Sequence, residues 1–131
     1  MKVLLATAIL ILSGCSSKRT DNIDLPFADD PQVIGKWESV DFVKTPDQFT
    51  PGKKQWEGDL TFRELVFQQN GKTSNEWFTW TKGVLLHHNN KTASQYTIKP
   101  EGGATYMFLE WKSGDYTFRG LKPWYYVLKK S

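Results

Sequence analysis

From Val33 onward the chain alternates aromatic or β-branched residues with polar ones, and short Gly- and Asn-rich breaks interrupt the alternation. A period of two over runs of this length is the mark of β-strands with opposed faces. The pattern predicts strands over 33–43, 59–68, 74–81, 83–88, 93–99, 104–112, 115–119 and 123–130. Turns are expected at Asn70-Gly71, Asn89-Asn90, Glu101-Gly102-Gly103, Ser113-Gly114 and Gly120. Helical spacing is confined to one turn around Pro46-Asp47-Gln48-Phe49, preceded by Thr45, inside a long loop at 44–58. Short strands at regular spacing predict an all-β fold. Both faces of the later strands are apolar: Tyr106, Phe108 and Glu110 oppose Met107, Leu109 and Trp111, and Trp124, Tyr126 and Leu128 oppose Tyr125, Val127 and Lys129. Closure removes unpaired edges, so a small antiparallel barrel of about eight strands is expected, with a β-sandwich as the alternative.

The N-terminus follows a different rule. Met1-Lys2 precedes an apolar run from Val3 to Leu12 and then Ser13-Gly14-Cys15. This is the plan of a secretory signal, and the run is short of the roughly 20 residues that span a bilayer. Leu12-Ser13-Gly14-Cys15 resembles the lipobox of bacterial lipoproteins. The resemblance implies diacylglycerol on the Cys15 sulfur, cleavage before Cys15, N-acylation (palmitate or a similar chain), and a lipid-anchored position on the extracytoplasmic surface of a cell membrane. Cys15 is the sole cysteine of the sequence, so it has no partner for an intramolecular disulfide. Residues 1–14 are thus expected to be a signal peptide, 15–32 a polar lipidated tether in which Ile23, Leu25 and Phe27 dock on the outside of the domain, and 33–131 the barrel.

Cleavage would leave 117 of the 131 residues, enough for one core. Loss of Lys2 lowers the formal charge from +3 to +2, with both signs mixed along the chain. Nucleic-acid binding wants a concentrated basic face and is not expected. Lys18-Arg19 adds at most about 2 kcal/mol of attraction to anionic headgroups.

Gly35-Lys36-Trp37 opens the first strand and resembles the Gly-x-Trp signature of lipocalins and their calycin relatives. In that fold the Trp packs across the closed end of the barrel under a late basic residue. Gly35, Trp37 and Arg119 are the expected signature residues, with Lys129 second to Arg119. The stretches GKWESVDFV, NGKTS followed by WFTWTKG, and EWKSGDYTFRGLKPWYYVLKK are similar to a small extracytoplasmic domain that accompanies β-lactam-sensor-type membrane metallopeptidases of Gram-positive bacteria. That similarity covers residues 31–131 and implies a sensor or accessory module. The His-Glu-x-x-His of the peptidase and the Ser-x-x-Lys of penicillin-binding sensors are both absent from the sequence, so no catalytic residues are carried over.

Other chemistry is set by spacing. Adjacent His87 and His88 point to opposite faces of a strand and do not chelate one ion together. A site with Glu76 or Glu110 would need further ligands, so no metal is expected, and the histidines read as exposed residues before the Asn89-Asn90 turn. Asn90-Lys91-Thr92 matches a glycosylation sequon but reads as a turn. Glu38, Asp41, Glu64, Glu76, Glu110 and Asp115 could in pairs serve an envelope hydrolase, although they also suit ion pairing with Lys36, Arg63 and Arg119.

No catalytic residue is assigned, and no cofactor other than the lipid on Cys15. The leading expectation is a non-catalytic binding or sensor module taking a small apolar or envelope ligand in a barrel mouth lined by Trp77, Tyr106, Phe108 and Tyr126. The alternative is a protein-interaction module meeting a membrane partner through loop 44–58, Trp56 and Trp124. An interior filled by side chains is the expectation that separates them.

Overall fold

The computed structural model describes residues 19–131; the signal segment and Cys15 lie outside the described residues. Among the described residues seven strands are formed: β1 (Gly35–Val43), β2 (Glu64–Phe67), β3 (Phe78–Thr81), β4 (Val84–His87), β5 (Thr92–Glu101), β6 (Ala104–Trp111) and β7 (Trp124–Lys130). They make one sheet in the order β2-β1-β7-β6-β5-β4-β3, with every neighbouring pair antiparallel. The sheet curls into a nearly closed barrel, so the barrel expectation holds and the stacked sandwich does not.

The seventh of the eight predicted strands is a helix. Residues 115–119 belong to α1 (Gly114–Arg119), where the Ser113 side chain accepts from the Asp115 N–H and Gly120 closes the last turn at φ 69°. Five alternating residues satisfy both periods, and the cap and the left-handed glycine decide between them. Two other boundaries moved inward. Residues 59–63 form a loop whose Leu60 and Phe62 pack on the core, and an Asn75 turn delays β3 to Phe78.

The seam between β2 and β3 is joined by side chains and a single bridge. Phe67 bridges Thr73, the Ser74 N–H donates to the Val66 carbonyl at 2.9 Å, and the Trp80 indole N–H donates to the Gln68 and Lys72 carbonyls at 2.8 and 3.0 Å. The lead-in then covers the free side of β3. The Ala28 N–H donates to Thr81 Oγ1 at 2.7 Å, the Lys82 N–H donates to the Ala28 carbonyl at 2.9 Å, and Phe27 packs edge-on against Trp80. Ala28 and Lys82 thus satisfy backbone groups of an edge that would otherwise be open to aggregation.

Side chains fill the interior. Trp37, Leu65, Phe67, Trp80, Leu85, Met107, Leu109 and Leu128 are all but completely buried there. A second cluster lies outside the barrel wall, where Phe49 from loop 44–58 covers Tyr106, Phe108, Val43 and Val127. Loop 44–58 thus supplies the outer layer that lets β6 and β7 be apolar on both faces. A bulge between Ser39 and Asp41 shifts the phase of β1, so that Trp37 and Phe42 face the same interior although their numbers differ in parity.

Candidate functional site: the aromatic mouth of the barrel

The two ends of the barrel differ in character. At the first, the indole N–H of Trp37 donates to the Val33 carbonyl at 2.8 Å, and the Lys130 ammonium lies 5.5 Å from the Trp37 ring while donating to the Gln32 carbonyl. Gly35, at φ 132°, passes close beneath Lys130: a β-carbon there would meet Lys130 Cε at 3.2 Å. Gly35 and Trp37 thus occupy a closed end, but the cation above the ring is Lys130. Arg119 pairs with Asp115 at 3.3 Å on α1, and Lys129 is exposed. Only the register of β7 against β1, which sets Lys130 opposite Trp37, selects among the late basic residues.

The other end is built of aromatic rings. Trp111 lies 4.6 Å from Phe62, 5.0 Å from Tyr126 and 5.3 Å from His87, centroid to centroid, and Phe78 joins the same group. These rings plug the barrel. Tyr126 is locked by its hydroxyl, which bonds Thr61 Oγ1 at 3.1 Å and accepts from the Phe62 N–H. Above the plug stand Phe42, Trp56 and Trp124: Phe42 stacks on Trp124 at 5.6 Å and meets Trp56 edge-on at 5.2 Å. Trp56 is held there by Asp41. The fully buried carboxylate accepts from the Gln55 and Trp56 backbone N–H groups at 2.9–3.0 Å, fixing the end of loop 44–58.

Trp56, Trp124, Trp111, Tyr116, Leu121 and Pro123 border an open groove of about 310 Å³, with Ser113, Asp115 and Lys122 as its polar contributors. A wider hollow continues on the far side of Trp56, bordered by Gln48, Gln55 and Glu57. The first volume is at the lower end of the range for small-molecule sites, which combine apolar walls with a few polar groups.

α1 is pinned over this end by Asp21. Its carboxylate accepts from Lys112 Nζ at 2.7 Å, the Tyr116 hydroxyl at 2.7 Å and the Ala93 N–H at 3.0 Å. Burial opposes the charge on Asp21, but those three bonds outweigh it and hold its pKa below the ordinary carboxylate value. Burial likewise works against the charge on Lys112, and Asp21 more than restores it, raising the pKa. Lys112 also sits 4.6 Å from the Tyr116 ring centroid.

The predicted ligand-lining residues are not brought together. Tyr126 is in the plug, but Tyr106 and Phe108 face outward beneath Phe49, on the opposite face of β6 from Trp111. Trp77 lies on the outside, 52 % exposed. The expected mouth combined residues from both faces of the sheet. Trp56 and Trp124 are paired, 6.1 Å apart, as rim residues. Phe42, Trp111 and Tyr116 were missed; the alternation that aligns Trp111 with Leu109 was the signal for that residue, while Phe42 is concealed by the bulge.

His87 is corrected from an exposed residue to a core one. It is 3 % exposed, is hydrogen-bonded through Nε2 to Ser94 Oγ at 2.8 Å, and lies against Phe78 and Trp111. Burial, with the Lys112 charge behind it, pushes its pKa down to about 4. His88 faces out and bonds Thr79.

The carboxylates are dispersed. Asp41 binds loop amides, Glu110 accepts from the Gln95 N–H, and Asp115 pairs with Arg119. Glu38 and Glu64 are cross-strand neighbours that share Lys36 on an exposed face. Among the described residues no group of three or more His, Cys, Asp or Glu is placed to hold a metal ion, and no helix is long and apolar enough to cross a membrane. Comparison with protein-family models, curated proteins and solved structures finds no match for this chain.

Proposed function

We propose that the chain is a lipid-anchored, extracytoplasmic, non-catalytic module of the bacterial envelope that binds a small apolar or amphiphilic envelope ligand in the aromatic groove at its open end. The carrying observation is the convergence of Trp56, Trp124 and Trp111 on one open groove above a filled barrel. Because the interior is packed, a ligand is accommodated at the mouth and not in a lumen. The lipobox at Leu12–Cys15 supports the anchor, and the similarity of residues 31–131 to a domain of β-lactam-sensor metallopeptidases supports a sensor or accessory role.

Titration of the mature lipoprotein with envelope lipid extracts, read by tryptophan fluorescence and native mass spectrometry, tests the groove. Trp124→Ala and Trp56→Ala are expected to weaken binding at least tenfold, since each removes an aromatic wall worth about 1.5 kcal/mol or more. Absence of any co-purifying or titratable ligand would refute it. The second reading, a contact surface for a membrane protein, draws on the openness of the groove beside loop 44–58; crosslinking from position 56 on intact cells that traps one protein would favour it.

A further inference from the structure

The exposed large apolar side chains are unevenly distributed. Among the described residues, Leu25, Phe27, Trp56, Trp77, Phe118, Leu121 and Trp124 are the seven that stand out, and five of them lie at the open end. Trp124 starts β7 opposite Trp111, Phe118 and Leu121 belong to the β6–β7 crossover, Trp56 packs on Trp124, and Trp77 precedes the end of β3 that pairs with His87. The closed end instead presents Lys130, Gln32 and the Lys36–Glu38–Glu64 charges.

The chain enters the folded part at that same apolar end. The Arg19 N–H donates to the Thr117 carbonyl of α1 at 2.6 Å, its guanidinium lies 5.4 Å from the Tyr116 ring, and the Asp21 N–H donates to the Lys91 carbonyl beside the β4–β5 turn. Four residue steps separate Cys15 from Arg19, a covalent reach of at most about 14 Å. β1 alone, at nine residues, runs roughly 30 Å from the closed end to the open one. An acyl chain on Cys15 therefore keeps α1 at the headgroups and the closed end well away from them.

We infer that the α1 end, with Phe118, Leu121 and Trp124, is a membrane-seating surface that rests in the headgroup layer of the bilayer holding the anchor. This rests on the proposed acylation of Cys15 and adds an orientation to it. The occupant is the lipid interface itself, because the tether leaves no room for a folded partner between α1 and the bilayer, and because amphipathic Trp and apolar residues favour that layer. Asp21 and Asp115 at this end are matched by Lys112 and Arg119. The seating is apolar in origin, and Arg19 and Lys122 at the same end add at most about 2 kcal/mol of attraction where the lipid is anionic.

The test uses the acylated protein in phosphatidylcholine vesicles with brominated acyl chains. A fluorophore is placed at Leu121→Cys or, at the far end of β5, at Lys99→Cys, with acylation of Cys15 verified by mass. The label at 121 is expected to be blue-shifted and quenched several-fold more than the label at 99, equally at low and high salt. Equal, water-like signals from both positions on acylated protein overturn the orientation while leaving the anchor intact. An unacylated Cys15 overturns both. A label at 121 that is wet in vesicles but shielded on intact cells assigns the surface to a protein partner and overturns the proposal as well.

Discussion

His87 makes the stability of the mouth depend on pH in a way that can be worked out in advance. In the unfolded chain its imidazole titrates near 6.5, whereas in the fold, where it is buried against Trp111 and Phe78, it titrates near 4. Above pH 6.5 the ring is neutral in both states and contributes no pH dependence. Below it the unfolded chain binds the proton first, so stability falls as the pH drops toward 4 and levels off beneath that value. The full gap is worth about 3 kcal/mol, of which roughly 2.5 kcal/mol is already lost by pH 4.5. That is a large share of the 5–15 kcal/mol typical of a domain. Urea unfolding at pH 7.5 and 4.5 measures it directly, and His87→Gln gives the comparison. The variant has its own pH-independent loss from altered packing, but its two stabilities should lie closer together than those of the wild type by about 2.5 kcal/mol. The Asp21 carboxylate does not confuse this window. Its pKa is lowered on folding, so its stabilising effect is lost only as the pH falls below the ordinary value of 3.8. A wild-type protein equally stable at pH 7.5 and 4.5, or a His87→Gln variant with an unchanged pH dependence, would refute the reasoning.

Asp41→Ala leaves the Gln55 and Trp56 amides without their acceptor, and about 3 kcal/mol of destabilisation in urea melts should accompany greater acrylamide quenching of Trp56. Gly71→Ala is expected to be worse than its size suggests: Gly71 has φ 80° and an added β-carbon would lie 2.8 Å from the Trp80 carbonyl, so a loss of about 2 kcal/mol or more should appear as a lower thermal midpoint. Lys130→Met removes the cation above Trp37 and the bond to Gln32, and about 1 kcal/mol should be lost, lowering the melting midpoint by roughly 4 °C. Asp21→Asn should raise hydrogen exchange selectively in residues 19–24 and in α1, since Asp21 joins the lead-in to Lys112, Tyr116 and Ala93; uniform protection across the chain would count against that joint.

The alternation of apolar residues was sufficient for an antiparallel barrel because a strand's two faces are written directly into its sequence. It could not say which face is inside when both are apolar. Met107 and Leu109 point inward only because Phe49, far away in an irregular loop, shelters Tyr106 and Phe108 on the other side. The bulge at Ser39–Asp41 hid Phe42 in the same way, since parity along β1 changes sign at a point no local propensity marks. In contrast, the helix at 114–119 was legible in principle: Ser113 and Gly120 bracket it with cap chemistry that a strand would not use. The choice of Lys130 over Arg119 required a register, which depends on pairing between residues about a hundred positions apart.

The tryptophans separate into two populations, and the division bears on what the module does. Trp37 and Trp80 are buried, and each indole N–H is satisfied by a backbone carbonyl at a point where the barrel closes, so fold stability accounts for both. Trp111 serves the plug. Trp56, Trp77 and Trp124 are 36, 52 and 39 % exposed and leave ring surface in water, although the Trp56 indole N–H donates to the Asp59 carbonyl at 3.2 Å. A monomer gains nothing from gathering that surface at one end, where it forms the kind of patch that marks an interaction site. The same end carries the groove, the Asp21-pinned helix and the point at which the chain leads back to Cys15. A barrel whose interior is full binds on its outside, and its open end gathers exposed apolar surface beside the residues that lead back toward Cys15.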